Sequence, residues 1–186
     1  MVASVLDKKI ETKIIFPKKN SEEFRLQCRS FGVKYLPLSL TTMSNNFMSI
    51  LKYMVLFPYE ISSLLFIFKK HRFDLVHVSG GCWQFKGVIA AKLAKLKVIW
   101  HLNDTQSPFF IRKIFSYLSS YANCFIFASE KTKEYYINLI PSKTKNFLIQ
   151  SPVDINYFDP KIKYPIEEIK KKFLLEKKTV IGTIGN

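Results

Sequence analysis

Cysteine, glycine and acidic side chains are all scarce in this sequence. The 186 residues hold three cysteines, six glycines and 14 acidic residues against 29 Lys and Arg. The cysteines Cys28, Cys82 and Cys124 are odd in number and far apart, which excludes a disulfide framework and fits free thiols in a reducing compartment. No Cys/His cluster and no carboxylate cluster with ligand spacing occurs, so no metal is implied. No G-x-G-x-x-G run and no nucleophile elbow is present. Gly182-Thr-Ile-Gly185 follows apolar residues, but two glycines are a weak sign of a phosphate-binding turn. The stretch from Met1 to Lys9 lacks the long apolar segment of a signal peptide, and no repeat or low-complexity tract is visible.

What the chain does have is apolar and basic. It is 48% hydrophobic and 15% aromatic, enough for a sizeable core, and its length suits one full domain but not two. The formal charge of +15 favours anionic partners: acidic lipid headgroups, phosphorylated substrates or nucleic acid. The plainer account is that scattered lysines solubilise an aromatic-rich surface. No interleaved aromatic–basic stacking motif is present, which argues against nucleic acid as the partner.

The organising stretch runs from Asp74 to Asp104. Leu75–Val78 and Val98–Trp100 are short apolar runs. Between them Phe85, Val88, Ile89, Leu93 and Leu96 recur at helical spacing, with Lys86, Lys92 and Lys95 on other faces. Strand, helix and strand within about thirty residues predict one parallel βαβ unit with a right-handed crossover. Further strands are predicted at Lys13–Phe16, Val33–Leu36 before Pro37, Cys124–Ala128 and Phe147–Ile149, with a new one from Thr179. Helices are predicted from Ser21 to Cys28, from Ser107-Pro108 with Ile111, Ile114, Phe115, Leu118 and Ala122 buried, from Ser129-Glu130 to before Pro141, and over 166–175. Residues 1–9 read as the tail of a helix.

Residues 47–68 are the most apolar part. Phe47, Ile50, Leu51, Met54, Ile61, Leu64, Leu65 and Phe68 form one helical stripe, interrupted at Pro58. A membrane-spanning helix needs about twenty nearly uncharged residues. Lys52 and Lys69 bracket only sixteen, with Pro58 and Glu60 inside. Two helices covering the sheet are the favoured reading. A face lying on a membrane, helped by Lys69, Lys70 and Arg72, is the other.

Parallel strands deliver their carboxyl ends to one rim, where ligands of open α/β sheets bind. Three strand ends carry Ser79-Gly80-Gly81, His101-Leu-Asn-Asp104 and Ser129-Glu130. Glycines let backbone N–H groups approach a phosphate or sugar. His101 can hydrogen-bond a hydroxyl or move a proton, and Asn103 and Asp104 can hold hydroxyls. The competing reading is that small and polar residues end most strands. His77, mid-strand, reads as a core or sheet-face histidine, and His71 as a solvated one.

These residues resemble the N-terminal half of GT-B glycosyltransferases of the retaining family 4 group. Asp74-Leu-Val-His-Val-Ser-Gly80 and Val98-Ile-Trp-His-Leu-Asn-Asp104 match its two strand motifs. Phe127-Ala-Ser-Glu130 is similar to its strand ending in Ser-Glu. Gln150-Ser-Pro-Val-Asp154 with Phe158-Asp-Pro160 is similar to its Asn-Gly-Val-Asp and Phe-x-Pro turn, and Val180 to Gly185 to the first strand of its C-terminal domain. Ser79 and Ser151-Pro152 depart from that pattern.

The resemblance implies an open, mostly parallel Rossmann-like α/β sheet with helices on both faces. Residues 1–160 would be an acceptor-side domain lacking its first strand. Residues 161–186 would be a linker helix and the opening strand of a nucleotide-sugar domain. It implies that His101 contacts the transferring sugar, that Ser79, Gly80 and Gly81 line the cleft, and that Asn103, Asp104, Ser129 and Glu130 bind hydroxyls. The substrates implied are a nucleotide sugar, bound only with a C-terminal lobe, and a sugar or lipid-linked sugar acceptor for a surface polysaccharide or glycolipid. No cofactor beyond the donor is implied. The expected place is cytoplasmic, peripheral at an anionic membrane surface. One subunit of a split transferase and a non-enzymatic basic membrane-binding module are the alternatives.

Overall fold

The computed structural model describes residues 10–42, 47–152, 165–176 and 178. The expected helix tail at 1–9, most of the 150–160 turn and the strand from Thr179 lie outside them. The chain divides into two compact units, residues 1–150 and 151–186. In the second, α6 (Ile166–Lys172) places Glu167 and Glu168 in its first turn and three lysines in its last, each complementing the helix dipole.

The first unit is built on parallel strands. β1 (Ile14–Pro17) pairs with β2 (Tyr35–Leu38), joined through α1 (Glu22–Ser30). After α2 (Phe47–Lys70), four strands follow in spatial order: β3 (Leu75–Ser79), β4 (Lys97–Leu102), β5 (Cys124–Phe127) and β6 (Lys145–Leu148). They are connected by α3 (Phe85–Leu93), α4 (Phe109–Leu118) and α5 (Glu130–Tyr136). Every pairing is parallel, and Ser79 stands opposite His101 while Leu102 stands opposite Phe127.

The period of two in a strand sorts the side chains. Val78, Val98, Trp100, Leu102, Phe125 and Phe127 face one way and are buried under α2–α5. Trp100 sits edge-on to Phe115 at 4.8 Å and stacks on Phe125 at 6.1 Å. Fully burying each such side chain contributes about 1.5–3 kcal/mol. On β1, Ile15 packs against this core, whereas Phe16 turns to Cys28 and Val33 in a second cluster beneath α1. Helices therefore lie on both faces, and the fold is an α/β, Rossmann-like one.

The sheet is interrupted. Among the described residues β1 hydrogen-bonds only to β2, and β3 only to β4. The Lys13 ammonium hydrogen-bonds His71 Nδ1 at 3.1 Å, so the starts of β1 and β3 lie at the same end. The open edge of β3 carries an apolar sequence, and Leu75 is 44% exposed. Parallel strands are normally enclosed by neighbours and helices; among the described residues no strand pairs with this edge.

Several expectations are corrected. Residues 47–70 form one helix, not two, with Pro58 inside it. Pro58 lies on the exposed side, where water can satisfy the carbonyl it frees, and the Ser62 hydroxyl donates to the Pro58 carbonyl at 2.9 Å. The buried stripe of α2 is Tyr53, Glu60, Leu64 and Phe68, while Phe47, Ile50, Leu51 and Met54 are exposed.

The reason is Lys86, expected outside but buried. Its ammonium pairs with Glu60, donates to the Thr41 carbonyl at 2.8 Å and lies 3.6 Å from the centre of the Tyr53 ring. Thr41 N–H donates to the other Glu60 oxygen at 2.7 Å. A buried ion pair with its remaining donors satisfied turns both helices about it. Burial, opposed by Glu60, lowers the Lys86 pKa, and burial with the Glu60 charge pushes Tyr53 up to about 12.

Smaller differences follow the same logic. β2 runs through Pro37, Ile114 and Leu93 are exposed, and Ser21 donates to the Lys18 carbonyl rather than capping α1.

Candidate sugar site at the strand ends

β3, β4 and β5 run the same way and end together, so Ser79-Gly80-Gly81, His101 to Asp104 and Ser129-Glu130 meet at one rim. Local chemistry fixes each piece. Ser129 caps α5, its Oγ accepting the Thr132 N–H at 3.1 Å, which leaves Glu130 exposed at the helix start. Asn103 is exposed directly after β4.

The glycine turn is clamped. Gly80 and Gly81 have φ of 120° and 85°, where a side chain is strained. A Cβ on Gly81 would lie 2.5 Å from Asp104 Oδ2. The Gly81 N–H donates to the His101 carbonyl at 3.4 Å, and Trp100 Nε1 donates to the Gly81 carbonyl at 3.0 Å. Asp104, expected to hold hydroxyls, is engaged inside the protein: Oδ1 accepts the Tyr136 hydroxyl at 2.7 Å and Oδ2 faces the Cys82 thiol at 3.7 Å. Burial pushes Cys82 up to about 11, against the hydrogen bond from Tyr136, so its thiol is inert at neutral pH. Burial, with the hydrogen bonds of Cys82 and Asp104, also raises the Tyr136 pKa.

His101 is the chemically available group. Its ring stacks on His77, centroids 5.5 Å apart and planes 15° from parallel. Its Nε2 is buried and has no hydrogen-bond partner among the described residues. Burial lowers the His101 pKa; burial and the neighbouring His101 lower that of His77. Both shifts favour the neutral ring, and the buried Nε2 of His101 is a polar atom that no described residue satisfies. Among the described residues no three His, Cys, Asp or Glu side chains gather as a metal site.

The sequence reading missed Tyr136, which lies in a short helix with nothing to mark it, and placed Trp100 only in a short apolar run. His77, expected in the core or on a sheet face, is exposed on the sheet face.

The comparisons with known proteins agree with this fold. Among solved structures, a glycosyltransferase from Rickettsia africae ESF-5 superposes with a TM-score of 0.65 at 18% identity, covering 94% of this chain and 44% of that one. Anabaena Alr3699/HepE in complex with UDP gives 0.64 at 14% identity, covering 94% and 46%. The same protein in complex with UDP-glucose gives 0.60 at 16%, covering 83% and 40%. The chain thus spans less than half the length of the structures it matches, and at these identities the likeness shows the fold. No curated protein sequence matches. The model of Glycosyltransferase Family 4 matches residues 6–157, most of the chain and all of the strand-end rim. This chain belongs to Glycosyltransferase Family 4.

Proposed function

We propose that this chain is the acceptor-side lobe of a glycosyltransferase that moves a sugar from a nucleotide-sugar donor to a sugar or lipid-linked acceptor of a surface polysaccharide or glycolipid. The observation that carries the reading is His101 Nε2, buried and without a hydrogen-bond partner among the described residues, at the rim where three parallel strands end. A hydroxyl of the transferring sugar satisfies that nitrogen. A buried polar atom left unpaired costs about 1–3 kcal/mol, so the contact favours binding.

In this reading the residues divide their work. Ser79 and the Gly80–Gly81 backbone line the cleft. Asn103, Ser129 and Glu130 take acceptor hydroxyls. Asp104 acts as a positioning residue: it holds the glycine turn through Tyr136 rather than meeting the sugar. The donor is a substrate, and no further cofactor enters. The enzyme works on the cytoplasmic side, where a lipid-linked acceptor meets the lobe at an anionic membrane surface. The Anabaena protein binds UDP and UDP-glucose, which makes a uridine nucleotide sugar the first donor to try.

A leaving diphosphate needs groups from both sides of a cleft. The lobe alone therefore turns over no donor, and a second lobe, in the same polypeptide or in a partner chain, completes the enzyme. The test is release of UDP from UDP-glucose by the purified chain, with and without lipid-linked acceptor. No release is expected; turnover by the chain alone would refute the division of labour.

A further inference from the structure

We infer that the outer face of α2 is a docking surface for an anionic lipid bilayer, on which the helix lies parallel to the membrane plane. The helix is apolar over most of its circumference, but only one side of it enters the protein. Tyr53, Glu60, Leu64 and Phe68 are buried, whereas Met48, Leu51, Met54, Val55, Tyr59 and Phe66 are exposed on the other side, five of them by about two thirds. A helix that meets water on that side carries polar residues there, and contiguous exposed apolar surface marks a binding face.

Charge selects the occupant. Lys52, Lys69 and Lys70 are exposed beside the apolar residues, and Lys70 reaches over the Phe66 ring. The one acid of α2, Glu60, is turned inward and neutralised by Lys86, so the face presents only positive charge. Apolar side chains bordered by lysine, within a chain of formal charge +15, complement acidic headgroups over an acyl boundary.

The helix is long and apolar enough to cross a bilayer by composition. Crossing would separate Glu60 from Lys86 and strip α2 from α3, so the helix lies on the membrane rather than through it. The inference is drawn from α2 alone and does not depend on sugar transfer.

Co-sedimentation of the full chain with vesicles tests it, using phosphatidylcholine alone and equal parts phosphatidylcholine and phosphatidylglycerol, with no sugar donor present. Binding to the anionic vesicles is expected to exceed binding to the neutral ones at least about tenfold, since each lysine near the surface is worth about fivefold. The triple substitution Met54→Gln, Val55→Gln, Phe66→Gln should abolish it, and Lys69→Gln with Lys70→Gln should weaken it and its salt sensitivity. A Val55→Trp chain, which keeps the buried side intact, should add to the emission of Trp83 and Trp100 a component that shifts to the blue on anionic vesicles and is quenched by brominated lipid, measured as the difference from the parent. Equal binding to both vesicles, an unaffected triple variant or no quenching of the Val55→Trp chain beyond that of the parent overturns the inference. So does a parent chain that ignores vesicles but self-associates until the triple substitution disperses it, which assigns the face to a second copy.

Discussion

The Tyr136 hydroxyl donates to Asp104 Oδ1 at 2.7 Å, tying the start of the loop after β4 to the end of α5. The same carboxylate leaves no space for a side chain at Gly81. This couples the shape of the glycine turn to a residue no motif announces. Removing either partner leaves a polar group without its hydrogen bond. Tyr136→Phe should cost about 1.5–3 kcal/mol, the range for hydrogen bonds to charged groups. Urea unfolding monitored by tryptophan fluorescence would measure it, and an unchanged midpoint would show that the bond carries nothing.

Gly81→Ala is the complementary change. It adds a Cβ 2.5 Å from Asp104 Oδ2 at a backbone φ of 85°. Left-handed strain alone costs about 1–2 kcal/mol, and the carboxylate must also move. A thermal midpoint within error of the parent would contradict the clamp. Gly32→Ala, with a positive φ but nothing within 4 Å, separates the two contributions.

The buried pair of Glu60 and Lys86 sets the rotation of α2. Lys86→Met leaves the Glu60 carboxylate buried with Thr41 as its remaining partner, and should cost about 3–5 kcal/mol. The double change Glu60→Leu with Lys86→Met should recover a large part of that loss. Equilibrium denaturation of the two single variants and the double variant gives the coupling; simple additivity would show that the pair does not act as a unit.

Stability should fall on acidification through the histidine range. His77 and His101 both have pKa values lowered in the native state, chiefly by burial. In the unfolded chain they protonate near about 6.5. Between that value and the lower native ones the unfolded state binds more protons, so acid favours it. The contribution is complete above the unfolded pKa and is lost as pH falls through the native values. Denaturant midpoints at about pH 7.5 and about pH 5.5 should differ more for the parent than for a His77→Asn, His101→Asn chain. Equal differences would contradict the lowered histidine pKa values.

Much of the strand-end rim was legible because it depends on chain direction. Alternating apolar residues ending in Ser79-Gly80-Gly81 and in His101 to Asp104 suffice to predict parallel strands with converging ends. Register then follows, and Ser79 does meet His101. Helix facing was less legible. Lys86 and Glu60 look like surface residues one at a time, and only their pairing across 26 positions makes burial affordable. Pro58 read as a break because nothing in the sequence says that its freed carbonyl faces solvent. Tyr136 was invisible for a similar reason: its partner lies 32 residues away and belongs to a different element. Non-local polar pairing lacks a period, whereas apolar burial has one.

The three histidines allow the most direct test of the sugar site. With ring carbons labelled, the chain gives three resolvable signals, assignable by single His→Asn changes, and His71, exposed in the turn before β3, serves as an internal control. Titration with a panel of alkyl glycosides should shift His101, and His77 through the stack, while His71 stays still. Glycosides that leave His101 unmoved, or that shift His71 alone, would contradict a sugar site at the strand ends.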